Sequence, residues 1–451
     1  PGYPPLAQAA FQLINMQDAD GANPFGDAPV QIEPIPSSHV AARMDMVLGI
    51  AKTGDRYEAS LEFNTDLFDD HTVSGMMDQY LFLLDALAGS QSAYIDEIEL
   101  YDSVHLLDQL GYSAADNDLL SLNSNQRSML LDQLAHPETI QNAYGIYADL
   151  PGKPDLDALH RAIQLMADAA PVLRMRITEC NIPAADMAYA VIPRNSTINL
   201  QIVDLSSQHW DGFSIHDAAM KLMHRTYDVY QDDLVSYYLL HKEASYRLVV
   251  ACHHIVLDGA STYLLMERLL NTYKAILTGE AVALKTDVGA EAFLSWSKQR
   301  SDHPQVLDFW RQKATLVEPL NFSFSSRYRD QGTETRFNDC VDSITLDHRQ
   351  VATIREYCAA NKVNLPLYFK AIFGLMIQHY CRPDAGFSFA EFYSCRQDVW
   401  DRELGCFYQQ FPSIVPAALN GRGVTVHDWL TSLKESRDSA RSFRAISLQA
   451  Q

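Results

Sequence analysis

The chain has 451 residues, 47% of them apolar and 20% charged, with a net charge of −22. A chain of this length and apolar content builds two or three lobes with sizeable cores and is not disordered. Strong acidity without a basic stripe or arginine-rich arm excludes a nucleic-acid footprint, and the charge serves solubility instead. Seven cysteines stand singly, at 180, 252, 340, 358, 381, 395 and 406, with no CxxC among them. That pattern predicts a reduced, cytoplasmic protein rather than a disulfide framework or a structural zinc site. No apolar run nears the ~18 residues of a membrane span, and residues 1–30 lack the features of a signal peptide. The opening PGYPPLAQAAFQLINM reads as the middle of a domain.

Along the chain, YEASLEF (57–63) alternates as a half-buried strand does. A helix follows, capped by Asp69 or Asp70 and closed by Gly89, with Val73, Met76, Met77, Tyr80, Leu81 and Leu84 on its apolar face. Residues 102–120 show no clear period and read as a linker. LNSNQRSMLLDQL (122–134) starts a helix near Ser124, and AYGIYADLPG is a strand ending in a Pro-Gly turn. DLDALHRAIQLMADAAPVLRMRI is an amphipathic helix entered at Asp155, then a strand. YRLVVACHHIVLDG is a strand that ends at two histidines, and the next helix runs from just after Gly259 to Gly279. Residues 291–315 are helical. Two helices broken at Asn364 and Pro366 fill 347–380, LGCFYQQFPSIVP is a strand, and TVHDWLTSLKESRDSARSF is a final helix. Strands alternating with long helices give an α/β class with mixed sheets. No tandem repeat or low-complexity tract is present.

The stretch ACHHIVLDGAS (251–261) carries the chemistry. A pair of adjacent histidines is most often two hydrogen-bonded core residues, and an Asp-Gly turn after a strand is common. The combination HHxxxDG at a strand–turn–helix junction is not. His254 at the strand end can point into a cleft while the strand holds it, and imidazole titrates near neutrality. His253 faces the other side of the strand and reads as structural. A near-buried Asp258 needs a cation, and an arginine is the natural partner. Gly259 lets the backbone turn and a ligand approach. Ser261 opens a helix whose amides can face a developing oxyanion. One strand end offers no third ligand on the same face, so the motif is a poor metal site.

From these residues the chain resembles the condensation domains of nonribosomal peptide synthetases, in the chloramphenicol-acetyltransferase-like superfamily. LNSNQRSMLLDQL resembles the family's opening helix, and residues 150–177 its helix and strand ending RHExLRTxF. CHHIVLDGAS resembles the active-site motif, and 293–314 the start of the second lobe. LGCFYQQFPSIVP (404–416) resembles the GxFVNTxPxR strand, and residues 57–87 the closing strand and helix of that lobe. Departures are Ala169-Ala170-Pro171 in place of Arg-His-Glu, and Gln409-Gln410 in place of Asn-Thr. Arg174 is kept and is expected to pair with Asp258. The closing segment stands first, which gives four parts: 1–101 the closing segment of a C-terminal lobe, 102–120 the linker, 121–290 the N-terminal lobe with HHxxxDG, and 291–451 the main part of the C-terminal lobe. Residues 57–63 and the helix after Phe68 are expected to dock on that last part, burying Met76, Met77, Tyr80 and Leu84.

The resemblance implies two acetyltransferase-like lobes, each a mixed sheet flanked by helices, set as a V with a central tunnel. It implies amide formation between carrier-protein-bound thioesters on phosphopantetheine arms, with no metal or cofactor of the protein's own. His254 and Gly259 would be catalytic, with His253, Asp258 and Arg174 structural and Ser261 and Gln409 lining the tunnel. Partners would be the upstream and downstream peptidyl carrier proteins and neighbouring synthetase domains, without nucleic acid or membrane. Rival readings are a stand-alone acyltransferase with a coenzyme A donor, an epimerising relative, and a non-catalytic condensation-like interface domain. A heterocyclising relative is disfavoured because it replaces the two histidines with aspartates.

Overall fold

The computed structural model of the protein describes residues 8–15, 44–53, 56–89, 101–182, 185–206, 212–301, 304–322, 342–397, 400–417, 423–440 and 443. The chain forms two units, Pro1–Ala115 with Thr178–Tyr189, and Asp116–Ile177 with Ala190–Gln451. The first unit opens with β1 (Ala9–Asn15), β2 (Met46–Thr53) and β3 (Arg56–Phe63). β1 pairs with β2 in parallel and β2 with β3 antiparallel, Leu48 opposite Leu61. YEASLEF thus finds its sheet partner in β2. It is more open than its alternation predicts, with only Leu61 and Phe63 partly covered, because β3 is an edge strand. α1 (Asp70–Gly89) follows, and Asp69 accepts the Thr72 amide at 2.8 Å as its cap. Val73 is buried and Met76, Met77 and Tyr80 are half-buried, but Leu81 and Leu84 are 58% and 48% exposed. The expected burial of Leu84 is therefore not made.

Residues 102–120 are not an irregular linker. Asp102 accepts the His105 amide and starts α2 (Ser103–Gln109), which buries Leu106 and Leu107, and β4 (Asn117–Ser121) follows. The helix is two turns long, too short for its apolar period to stand out in a polar stretch.

The chain continues with α3 (Ser124–Ala135), β5 (Ala143–Leu150), α4 (Leu156–Ala169), β6 (Arg176–Glu179), β7 (Ala188–Pro193), β8 (Leu200–Asp204), α5 (Ile215–Met223), β9 (Val235–Lys242), β10 (Ser245–His253) and α6 (Gly259–Thr278). α7 (Gly289–Ser301), α8 (Pro304–Ala314), α9 (His348–Ala360), α10 (Leu365–Cys381), β11 (Phe387–Ser394), β12 (Tyr408–Val415) and α11 (Val426–Ala440) complete it. Three sheets have the orders β5-β10-β9-β8, β4-β7-β6 and β11-β12. The fold is mixed α/β with helix-flanked sheets, as the strand–helix alternation predicts.

β10 sits between β5 and β9, antiparallel to both. With both faces covered it reads as a continuous apolar run, and Leu248 to Cys252 are fully buried. Each such aliphatic side chain contributes about 1.5–3 kcal/mol before entropy is subtracted. Ala218, Ala219 and Met223 of α5 pack on Val249 and Ala251. Gly145 of β5 lies so close that a Cβ there would stand 2.3 Å from the Val250 carbonyl oxygen. On the other side of the motif, α6 starts at Asp258, its N-cap, and stops at Gly279 in the left-handed region (φ 71°).

Candidate active site

β10 ends at His253, and the two histidines part. His253 is fully buried. Its Nδ1 accepts the Ile255 amide at 3.1 Å, Nε2 lies 3.4 Å from Gln133 Oε1, and Tyr227 meets its ring edge-on. Burial pulls its pKa down to about 3, so the imidazole is neutral. Both ring nitrogens thus face partners inside the fold.

His254 is half-buried. Its amide donates to the Asn142 carbonyl at 2.7 Å, which continues the β5 pairing past the strand end. The ring lies between Tyr144, 4.7 Å away, and Tyr408, 4.8 Å away. Nδ1 is buried without a hydrogen bond of its own, and the ring lies near its own and the Leu257 carbonyl. Burial lowers its pKa, opposed by its own and the Leu257 carbonyl and by the Asp258 carboxylate. A neutral imidazole can accept a proton at the ring nitrogen that carries none.

The loop after His254 is held from several elements. Tyr144 Oη donates a short hydrogen bond to the Leu257 carbonyl. Gln126 of α3, part of a capping box with Asn123, donates to the Ile255 carbonyl at 2.7 Å. Asn125 donates to the Tyr408 carbonyl at 3.3 Å.

Asp258 is buried and paired, but not with Arg174. Its partner is Arg396, Nη2 to Oδ1 at 3.0 Å, with both side chains under 10% exposed. Oδ1 also accepts the Ser261 amide at 2.7 Å, and Oδ2 the Phe407 amide at 3.0 Å. Arg396 Nη1 donates to the carbonyls of Trp400, Asp401 and Glu403, and its guanidinium lies over the Phe407 ring. Arg174 ends a single 3-10 turn begun by Pro171, and that turn delivers its Nη1 to the Arg194 carbonyl at 2.6 Å.

Three further expectations are corrected. Ser261 does not line an open channel. It is fully buried, its hydroxyl donating to the Gly405 carbonyl and accepting from the Gly405 amide and Arg396. Gln409 is 1% exposed and donates to Ser297 Oγ at 3.2 Å, with Cys395 Sγ 3.7 Å from its Oε1. Gly259 needs no special backbone conformation, being the first residue of α6 with no positive φ. A Cβ on it would meet open space, and the Gly259 and Ala260 amides bond to no described residue. The turn expected of Gly259 is therefore not made by a special backbone conformation.

Sequence reasoning missed Arg396, Gln126, Tyr144 and Tyr408. Arg396 had a readable signal: a lone cation in SCRQDVW, eight residues before the LGCF segment. Tyr144 and Tyr408 had none, since an aromatic residue in a strand reads as core. Among the described residues no group of three or more His, Cys, Asp or Glu side chains is placed to hold a metal, and no helix is long and apolar enough to cross a membrane. The described cysteines form no disulfide.

The family model described as Condensation domain matches residues 116–408, from the start of β4 to Tyr408. Bacitracin synthase 3 of Bacillus licheniformis is 30% identical over 166 residues, 35% of this chain and 2% of that protein. Tyrocidine synthase 3 of Brevibacillus parabrevis is 24% identical over 164 residues, 36% of this chain and 2% of that protein. The chain thus spans a small fraction of the length of these curated relatives. The first condensation domain of the calcium-dependent antibiotic synthetase superposes with a TM-score of 0.58 at 17% identity, over 74% of this chain and 77% of that one. The condensation domain from Monacolin K polyketide synthase MokA gives 0.57 at 15%, over 74% and 75%. These likenesses show the fold, and the family match spans every residue of the HHxxxDG site from Gln126 to Tyr408: the chain belongs to the condensation-domain family.

Proposed function

We propose that the chain catalyses amide formation between an acyl or peptidyl thioester donor and an aminoacyl acceptor. Each is carried on the phosphopantetheine arm of a carrier protein of a larger cytoplasmic synthetase. The observation that carries this reading is the half-buried His254 at the end of β10, set against Tyr144 and Tyr408 and with its pKa lowered by burial, in a chain of the condensation-domain family. The acceptor amine attacks the donor carbonyl, the C–N bond forms, the C–S bond breaks, and the amine proton reaches the leaving sulfur to give a free thiol. His254 Nε2 takes and returns that proton, which accounts for roughly 10²–10⁴ in rate, and fixing both thioesters supplies the larger share. The amide of Gly259, at the N-terminus of α6, faces the oxyanion. Asp258 and Arg396 act by holding the loop. The pantetheine arms are the substrates' handles.

The test loads donor and acceptor carrier proteins and follows the acceptor by intact-protein mass spectrometry. Acceptor mass rising by the acyl group, and lost in His254→Ala, is the expected result. Transfer at an unchanged rate in His254→Ala overturns the assignment.

A further inference from the structure

Two tilted rings from different strands lie against the His254 ring, Tyr144 at 4.7 Å and Tyr408 at 4.8 Å. Tyr144 comes from β5, and its hydroxyl is tied to the Leu257 carbonyl. Tyr408 comes from β12, with its carbonyl held by Asn125 and its ring backed by Phe392 of β11 at 5.9 Å. Nδ1 is buried there without a hydrogen bond.

We propose that Tyr408 is a specificity-determining residue: with Tyr144 it makes a two-ring slot around His254 that admits acceptor amines with small α-substituents and turns away bulky ones. The inference rests on the reading of His254 as the group that handles the acceptor amine's proton. An amine within hydrogen-bond reach of Nε2, about 3 Å, carries its α-carbon one bond further out. The α-substituent then lies at the ring rims. The Tyr144 side cannot give way without breaking its bond to Leu257. On the Tyr408 side the ring meets Phe392, which is 67% exposed, and its phenol is held by Asn125; that ring is the variable side of the slot.

The titratable groups facing the imidazole are Tyr144 from β5, Tyr408 from β12, His253 from β10 and Asp258 at the start of α6. Burial holds both phenols neutral, raising their pKa well above the usual value. Removing the Tyr408 ring lets water onto one face of His254.

The experiment uses the full chain as wild type, Tyr408→Val and Tyr408→Phe. Donors are acetyl- to decanoyl- and aminoacyl-pantetheine thioesters, and acceptors are the N-acetylcysteamine thioesters of glycine, alanine, valine and phenylalanine. Wild type is expected to favour glycine over phenylalanine in kcat/KM by about tenfold or more, Tyr408→Val to shrink that ratio to within about threefold, and Tyr408→Phe to keep it. NMR titration of the His254 imidazole is expected to show its pKa rising by about half a unit or more in Tyr408→Val and staying in place in Tyr408→Phe. Equal use of glycine and phenylalanine by wild type, or an unchanged ratio in Tyr408→Val, overturns the selectivity. An imidazole unmoved in Tyr408→Val overturns the slot even where turnover is normal. No turnover of any acceptor overturns the condensation reading and the selectivity with it, while the titration still reports on the slot separately.

Discussion

Strands β10 and β11 both contribute to the surroundings of one imidazole, yet they are built differently. β10 is buried from Arg247 to His253 and lies between two strands. β11 is fully buried only at Phe387 and pairs, among the described residues, with β12 alone. The first delivers His254 from an enclosed strand end. The second presents Phe392, 67% exposed, behind Tyr408. His254 is thus held at the end of a buried strand, while the ring behind its neighbour Tyr408 lies on an open one.

The comparison is sharpest at His254 itself. His254→Ala is expected to lower amide formation by about 10²–10⁴-fold while the melting curve stays that of a folded protein. An unfolded variant would show that the ring stack, not the strand, holds this end of β10 together.

Next in size is the Asp258–Arg396 pair. Arg396→Met leaves a buried carboxylate with one cation fewer, and urea unfolding should record a loss of about 3–5 kcal/mol. Arg174→Met, which removes a single bond to the Arg194 carbonyl, should cost only about 1 kcal/mol. Similar losses for both would return Arg174 to the site.

Acid should then weaken the protein through β10. His253 keeps a pKa of about 3 against a free value of 6.5. Between those values the unfolded chain binds a proton that the folded chain refuses. Stability is therefore complete above the free value and falls as pH drops, by about 1.4 kcal/mol per unit or roughly 2 kcal/mol at pH 5. His254, shifted in the same direction, adds in the same sense. Urea unfolding of wild type and His253→Asn at both pH values checks this, and equal pH slopes would rule it out.

The smallest effect lies on β11. Phe392→Ala should change stability by less than about 0.5 kcal/mol in the same urea assay. A larger loss would mean that the outer wall is as firmly packed as β10.

The strand, the helix and their junction at HHxxxDG were legible because each has a local sign: a buried apolar run, a cap residue, and Gly279 at the stop. So were Asn364 and Pro366 as the break between α9 and α10. Partner choice was not legible. Arg174 and Arg396 are equally plausible cations for Asp258 in one dimension, and only the fold brings residues 138 positions apart into contact. Ser261 and Gln409 failed for a related reason. A polar residue beside a motif suggests a substrate contact, but here both are consumed by internal hydrogen bonds. Residues 102–120 failed because a seven-residue helix leaves too little pattern.

The bonds between the Asp258–Ser261 turn and residues 405–407 bear on how such domains can be recombined. Every one of them uses main-chain atoms on the 405–407 side: the Gly405 amide and carbonyl and the Phe407 amide. A hybrid protein joined between α6 and β11 keeps these bonds only if the spacing from Arg396 to Phe407 is unchanged, and it also needs Gly405, where a Cβ would stand 2.5 Å from the Phe407 ring, and the buried Phe407 itself. Inserting or deleting one residue in that interval would misalign all of these bonds together. For anyone splicing domains of this family, length between those two positions is the constraint to keep, and Arg396, Gly405 and Phe407 have to travel together.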